Sequence, residues 1–111
     1  MDLNEYQDKT DETAIYPDKR GTLGIAYCAL KLAGEAGEVA EKIGKAIRDN
    51  RGHIDYPMSK DLAQELGDVL WYVAQLARQM SWSLEDVAAM NIIKLASRKE
   101  RGVLGGSGDT R

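Results

Sequence analysis

The chain has 111 residues, of which 43% are hydrophobic and 30% are charged, so residues 1–111 are expected to form a single ordinary globular domain. The net charge of −3 argues against a nucleic-acid partner, which needs a basic surface, and the single cysteine, Cys28, excludes an internal disulfide and a cysteine-based zinc site. No apolar run approaches the roughly 18 residues of a membrane span and no stretch resembles a signal peptide, so we expect a cytoplasmic protein without a membrane partner.

Hydrophobic periodicity and the absence of a convincing strand predict an all-α fold, a helical bundle of four main helices. The N-terminal segment, residues 1–18, begins with a short helix that Asp2 can cap. Pro17 stops this helix, because a residue that precedes proline avoids the helical region. A long second helix is predicted over residues 22–50, and it ends at Arg51-Gly52.

The two remaining helices are predicted from their capping residues. Ser59 can cap a third helix that continues to about Met80, and Ser83 can cap a fourth that ends near Arg101. Residues 103–111 are rich in glycine, a composition that is typical of a mobile terminus.

The second helix presents two packing faces. One face is a leucine and valine stripe, and the other is a stripe of small residues, Ala33, Gly37, Ala40 and Gly44. Each glycine in a helix costs up to about 1 kcal/mol relative to alanine, so a close-packed neighbour is expected on the small face. In a chain of this size, a partner subunit is expected to cover such second faces and complete the bundle.

An eight-residue motif on the second helix recurs on the third. The copies are LAGEAGEV at residues 32–39 and LAQELGDV at residues 62–69. Within each copy two acids lie three residues apart, roughly 60° around a helix and therefore on one side of it, at the border of an apolar stripe. The four acids are Glu35, Glu38, Glu65 and Asp68.

Four neighbouring carboxylates favour a bound cation, because two like charges about 4 Å apart repel each other by about 4 kcal/mol at an effective dielectric near 20. A short connection makes the two helices antiparallel neighbours, so the acids can meet. Oxygen ligands select Mg²⁺, Mn²⁺ or Ca²⁺, and protein-bound Mg²⁺ usually takes substrate phosphates as further ligands. Ordinary solvated helix acids are the alternative. A di-iron site needs Glu-x-x-His pairs, which the one histidine, His53, does not provide.

Several polar residues accompany these acids. Tyr72 lies one turn after Asp68, where it could flank a base or a sugar, or be a half-buried structural tyrosine. On the fourth helix Asn91, Lys94 and Arg98 form one polar line, which suits a nucleotide and its phosphates but is also common on solvated surfaces.

Four further residues receive mainly structural interpretations. Lys31 and Lys42 each lie four residues from an acid of the first motif, so both are interpreted as ion pairs within the helix. Glu41 is either an additional metal ligand or an exposed acid. Trp71 faces away from the apolar stripe, and an exposed tryptophan predicts a subunit contact.

The sequence resembles the MazG-like family of all-α nucleoside triphosphate pyrophosphohydrolases. The resemblance is carried by GEAGEVAEKIGKAIRD and ELGDVLWYVAQLA around the paired acids, and it extends through Asn91, Lys94 and Arg98 to the closing GGSGDTR. It implies a homodimer or homotetramer that hydrolyses a nucleoside triphosphate between the α and β phosphates with Mg²⁺, giving the monophosphate and pyrophosphate. This chain has one such domain, so the signalling role of two-domain members need not apply.

The resemblance also implies roles for individual residues. The acids that match Glu35, Glu38, Glu65 and Asp68 bind the metal, Mg²⁺ or Mn²⁺ as a substitute, and one glutamate orients the attacking water. We assign the water to Glu38, because it is less tied to the apolar stripe than Glu35. Asn91 and Lys94 match family positions associated with substrate contact, and together with Tyr72 and Arg98, which are expected from their positions on the helices, they are the residues expected to contact the substrate.

The function expected from the sequence is therefore (d)NTP pyrophosphohydrolysis in nucleotide pool control or housecleaning. Two alternatives remain open at this point. The chain could be a non-catalytic helical adaptor whose acids only keep it soluble, or a hydrolase of another phosphorylated substrate.

Overall fold

The computed structural model of the chain describes residues 1–111 as four α-helices joined by short connections, without a strand. The helices are α1 (Leu3–Asp11), α2 (Thr22–Asn50), α3 (Tyr56–Gln79) and α4 (Leu84–Glu100). The prediction of an all-α fold with four main helices is confirmed. No helix combines the length and the apolar character that crossing a bilayer requires.

Helix boundaries follow from local hydrogen bonds. The Asp2 carboxylate accepts a hydrogen bond from the backbone N–H three residues later at 2.8 Å, and the Ser83 hydroxyl does the same at 3.0 Å, as predicted. Arg51 adopts a left-handed conformation, with φ at 54°, and ends α2 where the sequence predicted. These caps satisfy backbone groups that have no partner within the helix.

The predicted start of α3 was wrong. Asp55 is the N-cap, and its carboxylate accepts a hydrogen bond from the Met58 N–H at 3.0 Å, so the helix begins four residues earlier than a Ser59 cap requires. Pro57 lies in the first turn, where its missing N–H would have no partner inside the helix. The additional turn lengthens the arm of α3 that lies beside α2.

The two long helices form an antiparallel hairpin that carries the rest of the chain. α2 packs along α3, while α1 packs against α3 and α4. α4 contacts α1 and α3 but makes no packing contact with α2. The residues between α1 and α2 cover the hairpin, where Ala14 and Tyr16 form a small buried cluster with Cys28 of α2.

Three glutamines, which we call the glutamine seam (Gln7, Gln75 and Gln79), join α1 and the following linker to the rest of the chain. The Gln7 side chain is 1% exposed and donates to the carbonyls of Ala74 and Trp82 at 3.1 and 3.0 Å. Its own carbonyl accepts the N–H of the first residue of α4 at 3.0 Å. One side chain therefore ties α1 to α3 and to the start of α4.

The other two members of the seam bind a tyrosine of the linker. The Tyr16 hydroxyl donates to the Gln75 carbonyl at 2.6 Å and accepts a hydrogen bond from the Gln79 amide. Gln75 also donates to the Thr10 hydroxyl of α1 at 2.8 Å. All of these side chains are buried, so their polar groups are paired with each other and not with water.

The single chain is open. Its radius of gyration is 16.7 Å, whereas a compact domain of about 100 residues has a value near 13 Å. Large apolar side chains remain exposed on α2 and α4, among them Leu30 at 74% and Ile93 at 69%. A Cβ atom added to Gly37 or Gly44 would meet nothing within 4 Å, so the chain does not itself supply the close-packed neighbour expected at the small face.

Trp71 packs inside the chain, so the prediction that it is exposed was wrong, while the subunit contact stays a prediction. The side chain is half-buried against the Ala14 cluster. Its indole N–H donates to the Thr13 hydroxyl at 2.9 Å, and its ring meets the Tyr16 ring edge-on at 6.3 Å. The face that points away from the apolar stripe is therefore the face that the α1–α2 linker covers.

Candidate active site

Three acids of the duplicated motif converge in the groove between α2 and α3. One carboxylate oxygen from each of Glu35, Glu65 and Asp68 lies within 4.8 Å of the others. Two oxygens bound to one ion are about 4.2 Å apart at most for Mg²⁺ and about 4.8 Å for Ca²⁺, given metal–oxygen distances of about 2.1 and 2.4 Å. The group therefore has the dimensions of a site for one hard divalent cation, after a slight contraction in the case of Mg²⁺.

Glu38 and Glu41 lie outside this group. The side chain of Glu38 is exposed and is not among the three converging carboxylates, so its role as a metal ligand and general base stays a prediction. Glu41 is also exposed and forms an ion pair with Lys45 at 3.4 Å, one turn further along α2. Of the two interpretations of Glu41, the exposed acid agrees with this position.

Lys42 reaches across the groove to α3. Its ammonium nitrogen lies 2.6 Å from an Asp61 carboxylate oxygen and 2.7 Å from a Glu65 carboxylate oxygen. The ammonium donates hydrogen bonds to both carboxylates, and these bonds, the one to Asp61 first and the one to Glu65 second, raise the pKa of Lys42 above its ordinary value, so the ammonium stays charged. The prediction that Lys42 pairs within its own helix was wrong, because the side chain faces the partner helix. Lys31 is exposed and forms no ion pair.

An open cavity of about 340 Å³ adjoins the carboxylates. It is lined by Thr13, Glu35, Asp68, Trp71 and Tyr72. Tyr72 is half-buried, and its ring tilts against that of Tyr27 at a centroid distance of 6.3 Å. Burial, followed by a hydrogen bond with Tyr27, raises the pKa of Tyr72 to about 12, so its hydroxyl keeps its proton at neutral pH.

The three polar residues of α4 are held apart from the carboxylates. Lys94 and Arg98 both bind the Asp109 carboxylate, at 2.8 and 3.1 Å, and they hold its pKa below the ordinary value. Arg98 is 5% exposed, and its Nε atom has no hydrogen-bond partner. Asn91 is exposed. No hydrogen bond or ion pair links these residues to the acids of α2 and α3 within one chain.

The glycine-rich tail is folded back onto α4, in contrast to the mobile terminus predicted from its composition. Besides the Asp109 contacts, the Arg111 guanidinium donates to the carbonyls of Val103, Leu104 and Gly105 at 3.0 to 3.1 Å. The tail thus wraps around its own last side chain. Glycine composition does not reveal this, since the bonds depend on one arginine and one aspartate.

Comparisons with known proteins agree with the architecture and the acid motif. The model of the family described as "MazG nucleotide pyrophosphohydrolase domain" matches residues 25–103. The chain is also 48% identical over 114 aligned positions to the Gene 37 protein of Mycobacterium phage L5, and the alignment covers all of both chains. No solved structure gives a significant match.

Proposed function

Since the chain belongs to the MazG nucleotide pyrophosphohydrolase family, we propose that it is a Mg²⁺-dependent enzyme that cleaves (d)NTPs between the α and β phosphates. The products would be the (d)NMP and pyrophosphate, and the role nucleotide pool control or housecleaning. The observation that carries this proposal is the convergence of Glu35, Glu65 and Asp68 within 4.8 Å, from both copies of the duplicated motif.

The side chains present suit a hard cation. All three donors are carboxylate oxygens at a separation that one ion can span, and an ammonium group already lies against one of them. When bound, Mg²⁺, or Mn²⁺ in its place, would screen the phosphate charges and orient the phosphates for in-line attack by water. We assign the metal to Glu35, Glu65 and Asp68, with Glu38 as the fourth ligand.

Glu38 is also the proposed general base. Because its side chain is exposed, it can change rotamer without disturbing packing and turn toward the three other acids. A carboxylate held there can accept a proton from the attacking water. Tyr72, with its protonated hydroxyl at the wall of the neighbouring cavity, is proposed to contact the nucleoside.

Asn91, Lys94 and Arg98 are proposed to bind substrate, with the two cations on the phosphates. Because α4 does not pack against α2 in one chain, we propose that the enzyme is a homodimer or homotetramer in which a second copy completes the site. The open shape and the uncovered face of α2 support a second copy as the partner.

The oligomer is tested by analytical ultracentrifugation. The wild-type chain should sediment as a dimer or tetramer at micromolar concentration, and Gly44→Glu should shift it toward monomer, because the new charge would be buried at the small face. Gly105→Glu is the matched control, because Gly105 lies in the tail, away from the small face, and a Cβ atom added there also meets nothing within 4 Å. This variant should sediment like the wild type. A monomeric wild type would contradict the proposal.

The activity is tested by measuring which phosphate product is released. With Mg²⁺ and each common NTP and dNTP, we expect pyrophosphate and the monophosphate in equal amounts. Release of orthophosphate alone would place the attack at a different phosphorus and favour a hydrolase of another kind. No turnover, together with a melting temperature that ignores Mg²⁺, would favour the non-catalytic adaptor.

A further inference from the structure

Lys42 is the only cationic side chain that contacts the three converging acids. Its ammonium bridges Glu65, which belongs to that group, and Asp61, which lies one turn earlier on α3 and outside it. Glu65 is mostly buried, with 19% of its side chain exposed, whereas half of the Asp61 side chain is in solvent. The lysine thus contacts one candidate metal ligand, Glu65, and one acid outside the metal site, Asp61, which can keep the lysine when a metal binds.

An ammonium and a divalent ion cannot share Glu65 without cost. Both would lie within a few ångströms of the same carboxylate, and like charges at that distance repel strongly in a partly desolvated groove. Lys42 already has a second carboxylate within hydrogen-bond distance, and its four-carbon stem is flexible. Leaving Glu65 therefore needs only a side-chain rotation toward Asp61.

We propose that Lys42 is an exchangeable internal counter-ion of the metal centre. In the metal-free protein its ammonium neutralises Glu65 and holds the acids together. When the divalent ion binds, Lys42 moves to Asp61 alone and leaves Glu65 to the metal. This inference rests on the proposed metal site but adds a residue that sets how tightly the site binds. Lys42 lowers the affinity for the ion and stabilises the metal-free protein, while Asp61 raises the affinity by accepting the lysine.

The test is isothermal titration of the full chain with MgCl₂ and no nucleotide, with melting temperatures measured in EDTA. Lys42→Met should tighten Mg²⁺ binding about tenfold, in the usual range of coupling between two sites, and should lower the melting temperature without metal. Lys45→Met is the matched control. Lys45 pairs with Glu41 and touches none of the three acids, so the Mg²⁺ affinity of the Lys45→Met variant should stay within about twofold of that of the wild type.

Asp61→Asn distinguishes the movement of Lys42 to Asp61 from a direct effect of the Asp61 negative charge on the ion. It should weaken Mg²⁺ binding in the wild-type background, because Lys42 then stays on Glu65, and it should have little effect when Lys42 is already methionine. Equal weakening in both backgrounds would overturn the exchange, since Asp61 would then act only as a nearby negative charge. Unchanged or weaker binding in Lys42→Met would overturn it as well. If the wild type binds Mg²⁺ and Lys42→Met binds it with the same affinity, only this inference fails. If the wild type binds no Mg²⁺, the proposed metal site fails as well.

Discussion

Asp68→Asn is expected to lower the rate of pyrophosphate release about a thousandfold or more. Asparagine keeps the shape of the side chain but removes the charge that would hold the ion in the groove. Metal-ion catalysis is worth several kcal/mol of transition-state stabilisation, and each 1.4 kcal/mol or so corresponds to a factor of ten in rate. The same variant should lose the rise in melting temperature that Mg²⁺ gives the wild type.

Asp49→Asn provides the control for that experiment. Asp49 lies near the end of α2 and pairs with Arg48 at 2.7 Å, away from the three converging acids. It should keep the activity and the response of the melting temperature to Mg²⁺. If Asp68→Asn retained more than a tenth of the wild-type rate, Asp68 would not be a ligand of the catalytic ion.

Gln7→Ala is expected to destabilise the protein by about 3 kcal/mol. The substitution removes both amide donors and the carbonyl acceptor of a side chain that is 1% exposed, and it leaves the Trp82 carbonyl and the Leu84 N–H without this partner. A buried polar group that loses its hydrogen-bond partner costs about 1–3 kcal/mol, and the alanine also leaves a void. Urea unfolding at a fixed protein concentration measures the change.

Gln64→Ala is the matched substitution for Gln7. Gln64 is exposed on α3 and forms no hydrogen bond, so its loss should change the free energy of unfolding by no more than about 0.5 kcal/mol. Equal effects of the two substitutions would mean that Gln7 does not join α1 to the rest of the chain.

The positions of the helices were largely predictable, because they depend on local signals. Capping residues and hydrophobic periodicity predicted the start of α1 and both ends of α2 and α4 close to their observed bounds, but α1 ends at Asp11, well before the stop expected at Pro17. The start of α3 was missed because the cap was assigned to Ser59, which leaves Pro57 outside the helix. Proline breaks a helix only where its N–H would be needed, and in the first turn it is not needed.

The convergence of Glu35 with Glu65 and Asp68 was predicted from the repeated spacing, which places acids on facing sides of two neighbouring helices. The ion pair of Lys42 with Asp61 and Glu65 on α3 was missed, because pairing at four residues was considered only within the helix. Lys42 lies seven residues after Glu35, and Asp61 lies seven before Asp68. Two turns along antiparallel helices bring these side chains level again, so the register of the hairpin, once known, identifies the pair.

The contacts of Trp71 and of the tail could not be predicted from sequence patterns. The linker between α1 and α2 has no periodicity that says which surface it covers, so the pairing of Trp71 with Thr13 could not be anticipated. The binding of Arg98 by Asp109 likewise depends on a chain reversal after α4. Both contacts join a regular helix to an irregular segment, whose path is set by tertiary packing.

The glutamine seam has a consequence for what happens when α1 is absent. Hydrogen bonds are directional, so α1 is held in one register along α3 and α4. A shifted α1 would move the Gln7 amide away from its hydrogen-bond partners on the other helices. The surface that a missing α1 uncovers on α3 is correspondingly polar, since Gln75, which donates to Thr10 and Asp11 of α1, can bind water instead. A chain that begins after α1 should therefore not aggregate, but α4 should lose its fixed orientation relative to α3. An apolar contact of the same size would instead expose a hydrophobic surface and favour aggregation.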